Sequence, residues 1–117
     1  MNKVILKIVQ RKINCKITTM GFMRIGNFKA QPDKVDELLQ IYQKDAIPVI
    51  KKAPGNISAF ILQKNDEKNS FLACTVWETK EDAENYDKSG QASEMVSKIK
   101  HTFDGPPNLT TYETYGI

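Results

Sequence analysis

Alternation of apolar positions with period two marks four short segments of this chain, and apolar spacing of helical period marks the stretches joining them. Residues 22–29 read as the first strand: Met23, Ile25 and Asn27 share one face, and Phe22, Arg24 and Phe28 share the other. Pro32 then suits the first turn of a helix, with Asp33 at its positive end. Val35, Leu38, Leu39, Tyr42, Ala46, Val49 and Ile50 form one apolar stripe of helical period. Pro48 predicts a kink or break near the last turns, because it removes the bond to the Lys44 carbonyl. Pro54-Gly55 predicts the stop.

Residues 56–63 form a second predicted strand, with Ile57, Ala59 and Ile61 on one face and Ser58, Phe60 and Leu62 on the other. The polar run 64–69 is a hairpin loop. A third strand over 70–78 puts Phe71, Ala73, Thr75 and Trp77 on one side and Leu72, Cys74 and Val76 on the other. A strand apolar on both faces must be covered on both. Thr79 can cap the next helix, with Asp82 three residues on as a weak capping box. Ala83 and Tyr86 begin one stripe, Gly90 breaks its phase, and Ala92, Met95, Val96, Ile99 and Phe103 make another. The prediction is a short helix, a break near Ser89-Gly90 and a longer helix. Residues 104–107 are a turn and 109–115 a last strand.

The order β-α-β-β-α-β defines an α+β, ferredoxin-like fold with an antiparallel sheet. Its helices can cover only one face of that sheet. The other face offers Phe60 and Leu62, with Phe22, Phe28 and Trp77 as further candidates. Apolar surface of that extent marks an interface, and the economical cover is a second copy packed face to face, a homodimer forming an α/β barrel.

Length and charge refine this picture. The chain has 117 residues, with 40% apolar and 26% charged positions, ordinary for one globular domain. That domain is expected over residues 21–117. Residues 1–20 carry Lys3, Lys7, Arg11, Lys12 and Lys16 and no acid; the rest holds 12 basic and 14 acidic residues. The first 20 residues therefore read as a basic extension of unknown role. Lys7 splits their apolar run, which argues against a secretory signal. The slightly acidic body argues against a nucleic-acid partner. No apolar run approaches the roughly 20 residues that span a bilayer, so no membrane partner is expected. Two cysteines, Cys15 and Cys74, make neither a disulfide framework nor a zinc site, which fits a reducing, cytoplasmic setting. Cys74, in mid-strand, reads as a buried inert thiol. There is no phosphate loop and no nucleophile elbow. The only histidine, His101, sits at a helix end, and the carboxylates Glu78, Glu81 and Asp82 look like a solvated helix start. No metal site is expected.

The opening strand RIGNFKA followed by PDKVDELL, then PGNISAFIL, then VWETKEDAENYDKS resemble the antibiotic biosynthesis monooxygenase superfamily of dimeric α+β barrels. The most specific element is the strand ending in Trp77, the acidic helix start, the aromatic Tyr86 nine residues on and Ser89 at twelve. The resemblance covers about residues 22–115. It implies a pocket between the sheet and the helices, lined by Asn27, Tyr42, Trp77 and Tyr86. It also implies a monooxygenase that works without metal, flavin or other bound cofactor on a phenolic, quinol or enolisable substrate. In that reading Asn27 holds the substrate oxyanion, Tyr86 handles the proton, and Trp77 and Tyr42 contact a small apolar or aromatic ligand. Each residue has a plainer role too: Asn27 as a strand amide bonded to backbone, Trp77 as a core anchor, Tyr86 as a helix tyrosine with a wet hydroxyl. Haem-degrading members of the superfamily carry a histidine where this chain has Val96, so the resemblance implies no axial iron ligand on that helix. A non-catalytic ligand-binding member and a haem-binding member are the alternatives.

Overall fold

A computed structural model describes residues 21–116. The expectations for residues 1–20, including their separation from a domain starting at residue 21, lie outside the described residues. Four strands, β1 (Gly21–Lys29), β2 (Asn56–Gln63), β3 (Ser70–Trp77) and β4 (Asn108–Thr114), form one antiparallel sheet in the order β2-β3-β1-β4. Central β1 and β3 pair with Phe22 opposite Trp77 and Phe28 opposite Phe71. The fold is the expected ferredoxin-like α+β arrangement.

The register decides which side chains meet the helices. Phe22, Arg24, Gly26 and Phe28 of β1 lie on the same face as Phe71, Ala73, Thr75 and Trp77 of β3. One shift in register near Ile57 sets the phase of β2, so that Ala59 and Ile61 join them. Asn56 fills the irregularity, its Nδ2 donating to the carbonyls of Ser58 and Val76 at 3.2 Å each. Phe22, Phe28 and Trp77 are therefore buried under the helices, which corrects their assignment to the uncovered face. That face carries Met23, Ile25, Asn27, Phe60, Leu62, Leu72, Cys74, Val76 and Tyr112 instead.

The first helical rod is continuous. It comprises α1 (Val35–Ile41), a π turn (Tyr42–Ala46) and α2 (Ile47–Lys52). Its start is three residues later than expected. Pro32 sits in a turn closed by Lys34 N–H donating to the Gln31 carbonyl, where a fixed φ is as useful as in a helix. Leu38, Tyr42, Ala46 and Ile50 are its buried residues, spaced by four. An α-helix rotates such a stripe by roughly 40° every four residues. The wider π turn rotates it back, so one face stays on the sheet. Pro48 accordingly does not break the rod. The Ile47 N–H donates to the Tyr42 carbonyl, five residues back, and Pro48, in the first turn of α2, has no N–H left unpaired.

Helices α3 (Lys80–Lys88) and α4 (Gln91–Ile99) follow β3. Thr79 caps α3, its hydroxyl accepting from Asp82 N–H at 3.0 Å. Gly90, at φ 83°, turns the chain into α4. Gly55 also has positive φ, 82°, and a Cβ there would collide with the Asp82 side chain. The Gly55 carbonyl accepts from Glu78 N–H at 2.8 Å, joining the two crossovers. Gly55→Ala is expected to cost at least about 1–2 kcal/mol from the left-handed backbone alone, with the Asp82 collision added. A urea midpoint unchanged from wild type would refute this.

His101 links the far ends of the helical layer. It lies in a short 3₁₀ turn (Lys100–Thr102), and its Nε2 meets Glu37 Oε2 of α1 at 2.5 Å. That hydrogen bond, ahead of the charge of Lys34, holds the Glu37 carboxyl below the usual range. Both groups are exposed, and the histidine is a surface clasp rather than part of the interior.

Candidate functional site

The helix layer does not fill the space above the middle of the sheet. Gly26 and Ala73 lie opposite each other on β1 and β3 and present almost no side chain. A cavity of about 260 Å³ opens over them, bounded by β1, β3, α3, α4 and the start of β4. Most of its wall is apolar, with Phe28, Ile50, Met95, Ile99 and Phe103 prominent. Its polar lining residues are few: Tyr42, Tyr86, Thr75, Arg24 and Asp87, with Asn108 at the start of β4. Largely apolar walls with a few convergent polar groups define a small-molecule site.

Each polar group is placed by a specific local cause. Tyr42 begins the π turn and continues the buried stripe; it is 6% exposed. Tyr86 is carried by α3 and backed by Trp77, their ring centroids 5.3 Å apart. Trp77, fully buried, donates from Nε1 to Thr75 Oγ1 at 2.9 Å. Ser89 donates to the Tyr86 carbonyl and accepts from Gln91 N–H, tying the end of α3 to the start of α4. The spacing Trp77–Tyr86–Ser89 thus has a physical reading: a buried support, the phenol it backs and the turn.

Neither Tyr42 nor Tyr86 makes a side-chain hydrogen bond among the described residues. Both hydroxyls are free to bond a ligand. Burial pushes the Tyr42 phenol well above its ordinary range, with Tyr86 and Cys74 adding to the effect. Burial also raises Tyr86; Asp87 reinforces this and Arg24 opposes it. Both phenols are therefore donors at neutral pH, not bases. A phenol harder to ionise folded than unfolded lends stability that is fully present below the unfolded value, about 10. That stability falls away as pH climbs through the raised folded value. Stability is expected to decline above about pH 10, and Tyr42→Phe to flatten the decline. Urea midpoints across the alkaline range test this; parallel curves for the two proteins would refute it.

Two of the four residues expected at the site, Tyr42 and Tyr86, line the cavity. Trp77 stands behind Tyr86 and is not among the lining residues. Asn27 does not line it either. It is exposed, and strand alternation places it on the opposite face of the sheet, between Leu72 and Asn108 on the ladder. Arg24 and Asp87 were missed by sequence reasoning. Arg24 Nη1 meets Asp87 Oδ1 at 2.6 Å, with the arginine side chain 15% and the aspartate 44% exposed. A signal existed: Arg24 alternates with Phe22 and Phe28 on a covered face, where a cation needs a partner. Val96 lines the cavity and offers no ligand to a metal. Among the described residues no three His, Cys, Asp or Glu side chains cluster as metal ligands, and no helix is long and apolar enough to cross a membrane. Cys74 is a free, buried thiol on the uncovered face.

Sheet order, helix placement and a small cavity between them describe an α+β sandwich with a ligand site on its helical side. The chain belongs to the antibiotic biosynthesis monooxygenase family, whose model matches residues 21–98. Solved structures agree on the fold. A Nitrosomonas europaea protein, named as a candidate antibiotic biosynthesis monooxygenase, is 16% identical with a TM-score of 0.75; 84% of this chain and 93% of that one are covered. A Streptomyces coelicolor monooxygenase in complex with nanaomycin D is 18% identical with a TM-score of 0.72, over 83% and 89% of the two chains. A sequence relative, an uncharacterised Synechocystis protein, is 28% identical over 88 residues, 75% of this chain. The match spans 59% of that relative's length.

Proposed function

We propose that this protein is a monooxygenase acting on a small aromatic phenol or quinol without a bound cofactor. The observation that carries this reading is a mostly apolar cavity lined by two tyrosines, largely buried as residues, whose hydroxyls make no hydrogen bond to another group among the described residues. Such donors complement a substrate oxygen that gains negative charge, and in a dry site they act strongly. Tyr42 and Tyr86 would bond the oxygen of the ring, while Phe28, Met95 and Phe103 would hold its faces. The oxyanion role expected for Asn27 falls instead to groups lining the cavity. The reaction balances without an external reductant: a phenol with a free ring C–H opposite its hydroxyl reacts with dioxygen to give a quinone and water. One oxygen atom enters the ring and the substrate supplies all four electrons. The family match supports an antibiotic-biosynthesis-monooxygenase type of function, and the nanaomycin D in complex with the Streptomyces protein motivates the choice of an aromatic substrate.

The test is oxygen consumption with a panel of naphthols and naphthoquinols, each compared with the uncatalysed rate. No acceleration with any of them would overturn the reading. A haem-binding reading is disfavoured by Val96, and a haem titration with no Soret shift is expected.

We also read the uncovered sheet face as the contact of a homodimer. Leu62 and Tyr112 are 47% and 51% exposed there, beside half-buried Met23, Ile25, Phe60, Leu72 and Val76. A self-complementary face of this kind suits two-fold association. Light scattering at micromolar concentration should give twice the chain mass, and Leu62→Lys should halve it. A wild-type monomer would refute the contact.

A further inference from the structure

We infer that Asp87 is the base that removes the substrate's hydroxyl proton, and that Arg24, paired with it, holds the oxyanion so formed. This rests on the reading of the cavity as a phenol-oxidising site and names the residues that start the reaction.

A phenol is neutral at pH 7, since its ordinary pKa is about 10, and its anion is the species that gives up electrons readily. Something in the cavity must accept the proton. The titratable and charged groups lining it are Arg24 from β1, Tyr42 from the first rod, and Tyr86 and Asp87 from α3; α4 and β4 contribute only Ala92, Met95, Val96, Ile99, Asn108 and Leu109. Both tyrosines are held neutral by burial, and an arginine cannot accept a proton. Asp87 is the one carboxylate among the lining residues.

Its pairing with Arg24 leaves both groups partly free. The ion pair uses Nη1 and Oδ1, and no other side-chain bond of either residue is made among the described residues. Arg24 and Asp87 line the same cavity as Tyr42 and Tyr86, and both act electrostatically on the Tyr86 phenol. In the step, the substrate O–H bond breaks and its proton passes to Asp87 Oδ2. The electron pair stays on the substrate oxygen, whose charge Arg24, Tyr42 and Tyr86 share. At 44% exposure, Asp87 can hand the proton on to water. A carboxylate base working with neutral hydroxyl donors is an established way to form enolates and related anions.

The test uses the full chain with 5-hydroxy-1,4-naphthoquinol as substrate, a quinol with a free ring C–H opposite its 5-hydroxyl, 4-nitrophenol as an ionisable ligand whose phenolate is coloured, and 4-nitroanisole as its non-ionisable control. Asp87→Asn should lower kcat with the quinol about 100-fold at neutral pH. The loss should shrink as pH rises towards the ionisation of the quinol itself. Arg24→Met should bind 4-nitroanisole as wild type does, but should lose the downward shift in the apparent pKa of bound 4-nitrophenol seen with wild type. Retained 4-nitroanisole binding shows that each variant keeps its cavity. Quinol oxidation by Asp87→Asn at the wild-type rate and pH profile would overturn the assignment while leaving the monooxygenase reading intact. A wild-type protein that neither binds 4-nitrophenol nor oxidises the quinol would overturn both.

Discussion

Trp77→Ala is expected to lower the folding stability by about 3–5 kcal/mol, the range for removing a large aromatic from a packed core. Trp77 has no exposed surface and belongs to the cluster of Phe22, Tyr42, Ala59, Ala83, Tyr86 and Met95. Its neighbours across the ladder are Phe22 and Asn56, and its ring supports Tyr86. Ala59 and Ala83 are too small to close the gap. Domains of this size are stable by only about 5–15 kcal/mol, so the variant should lie near its unfolding transition at room temperature. The loss also strands the Thr75 hydroxyl without its donor. Trp77→Phe, which keeps most of the ring, should cost under half as much. Urea titration followed by far-UV circular dichroism measures both, since the chain has one tryptophan and the variants have no indole signal. A Trp77→Ala cost below about 1 kcal/mol would contradict the packing described above.

Tyr86→Phe should separate chemistry from stability. The hydroxyl it removes has no protein partner among the described residues, so the fold loses no side-chain hydrogen bond. Stability should stay within about 0.5 kcal/mol of wild type. Turnover of a quinol should fall about 100- to 1,000-fold, the usual effect of deleting one donor to an oxyanion. The ring remains against Trp77, so the affinity for a non-ionisable aromatic ligand should be kept. Oxygen consumption and the urea midpoint decide the matter together. A variant with unchanged turnover would remove Tyr86 from the chemistry.

Much of the fold was readable from short-range pattern because each element states its period locally. Of the expected stripe Val35–Ile50, Leu38, Tyr42, Ala46 and Ile50 are buried while Val49 is exposed; the Thr79 cap and the Gly90 break, which arise from contacts within a few residues, also occur. Pro48 was misjudged because a proline's missing donor can be absorbed by a π turn before it, and that turn is chosen by packing on the sheet. The start of the first rod was placed too early for a similar reason: Pro32 fits a turn and a helix N-terminus equally well.

The site was legible in part. Tyr42 and Tyr86 announced themselves as polar-tipped aromatics on apolar stripes. Asn27 did not belong with them, and the reason is parity. It shares a strand face with Met23 and Ile25, and nothing local says which face the helices take. Arg24 and Asp87 are 63 positions apart and meet only because the crossover returns α3 over β1.

Period, capping and breakers therefore determined the elements, their order and the excess of apolar strand surface, since these depend on neighbours along the chain. Only the tertiary structure decided which sheet face is covered, where Gly26 and Ala73 leave a cavity, and that a cation and a carboxylate line it. Those features depend on register and helix placement, and a shift of one residue in β1 would turn Arg24 away from the helices and bring Met23, Ile25 and Asn27 to that face.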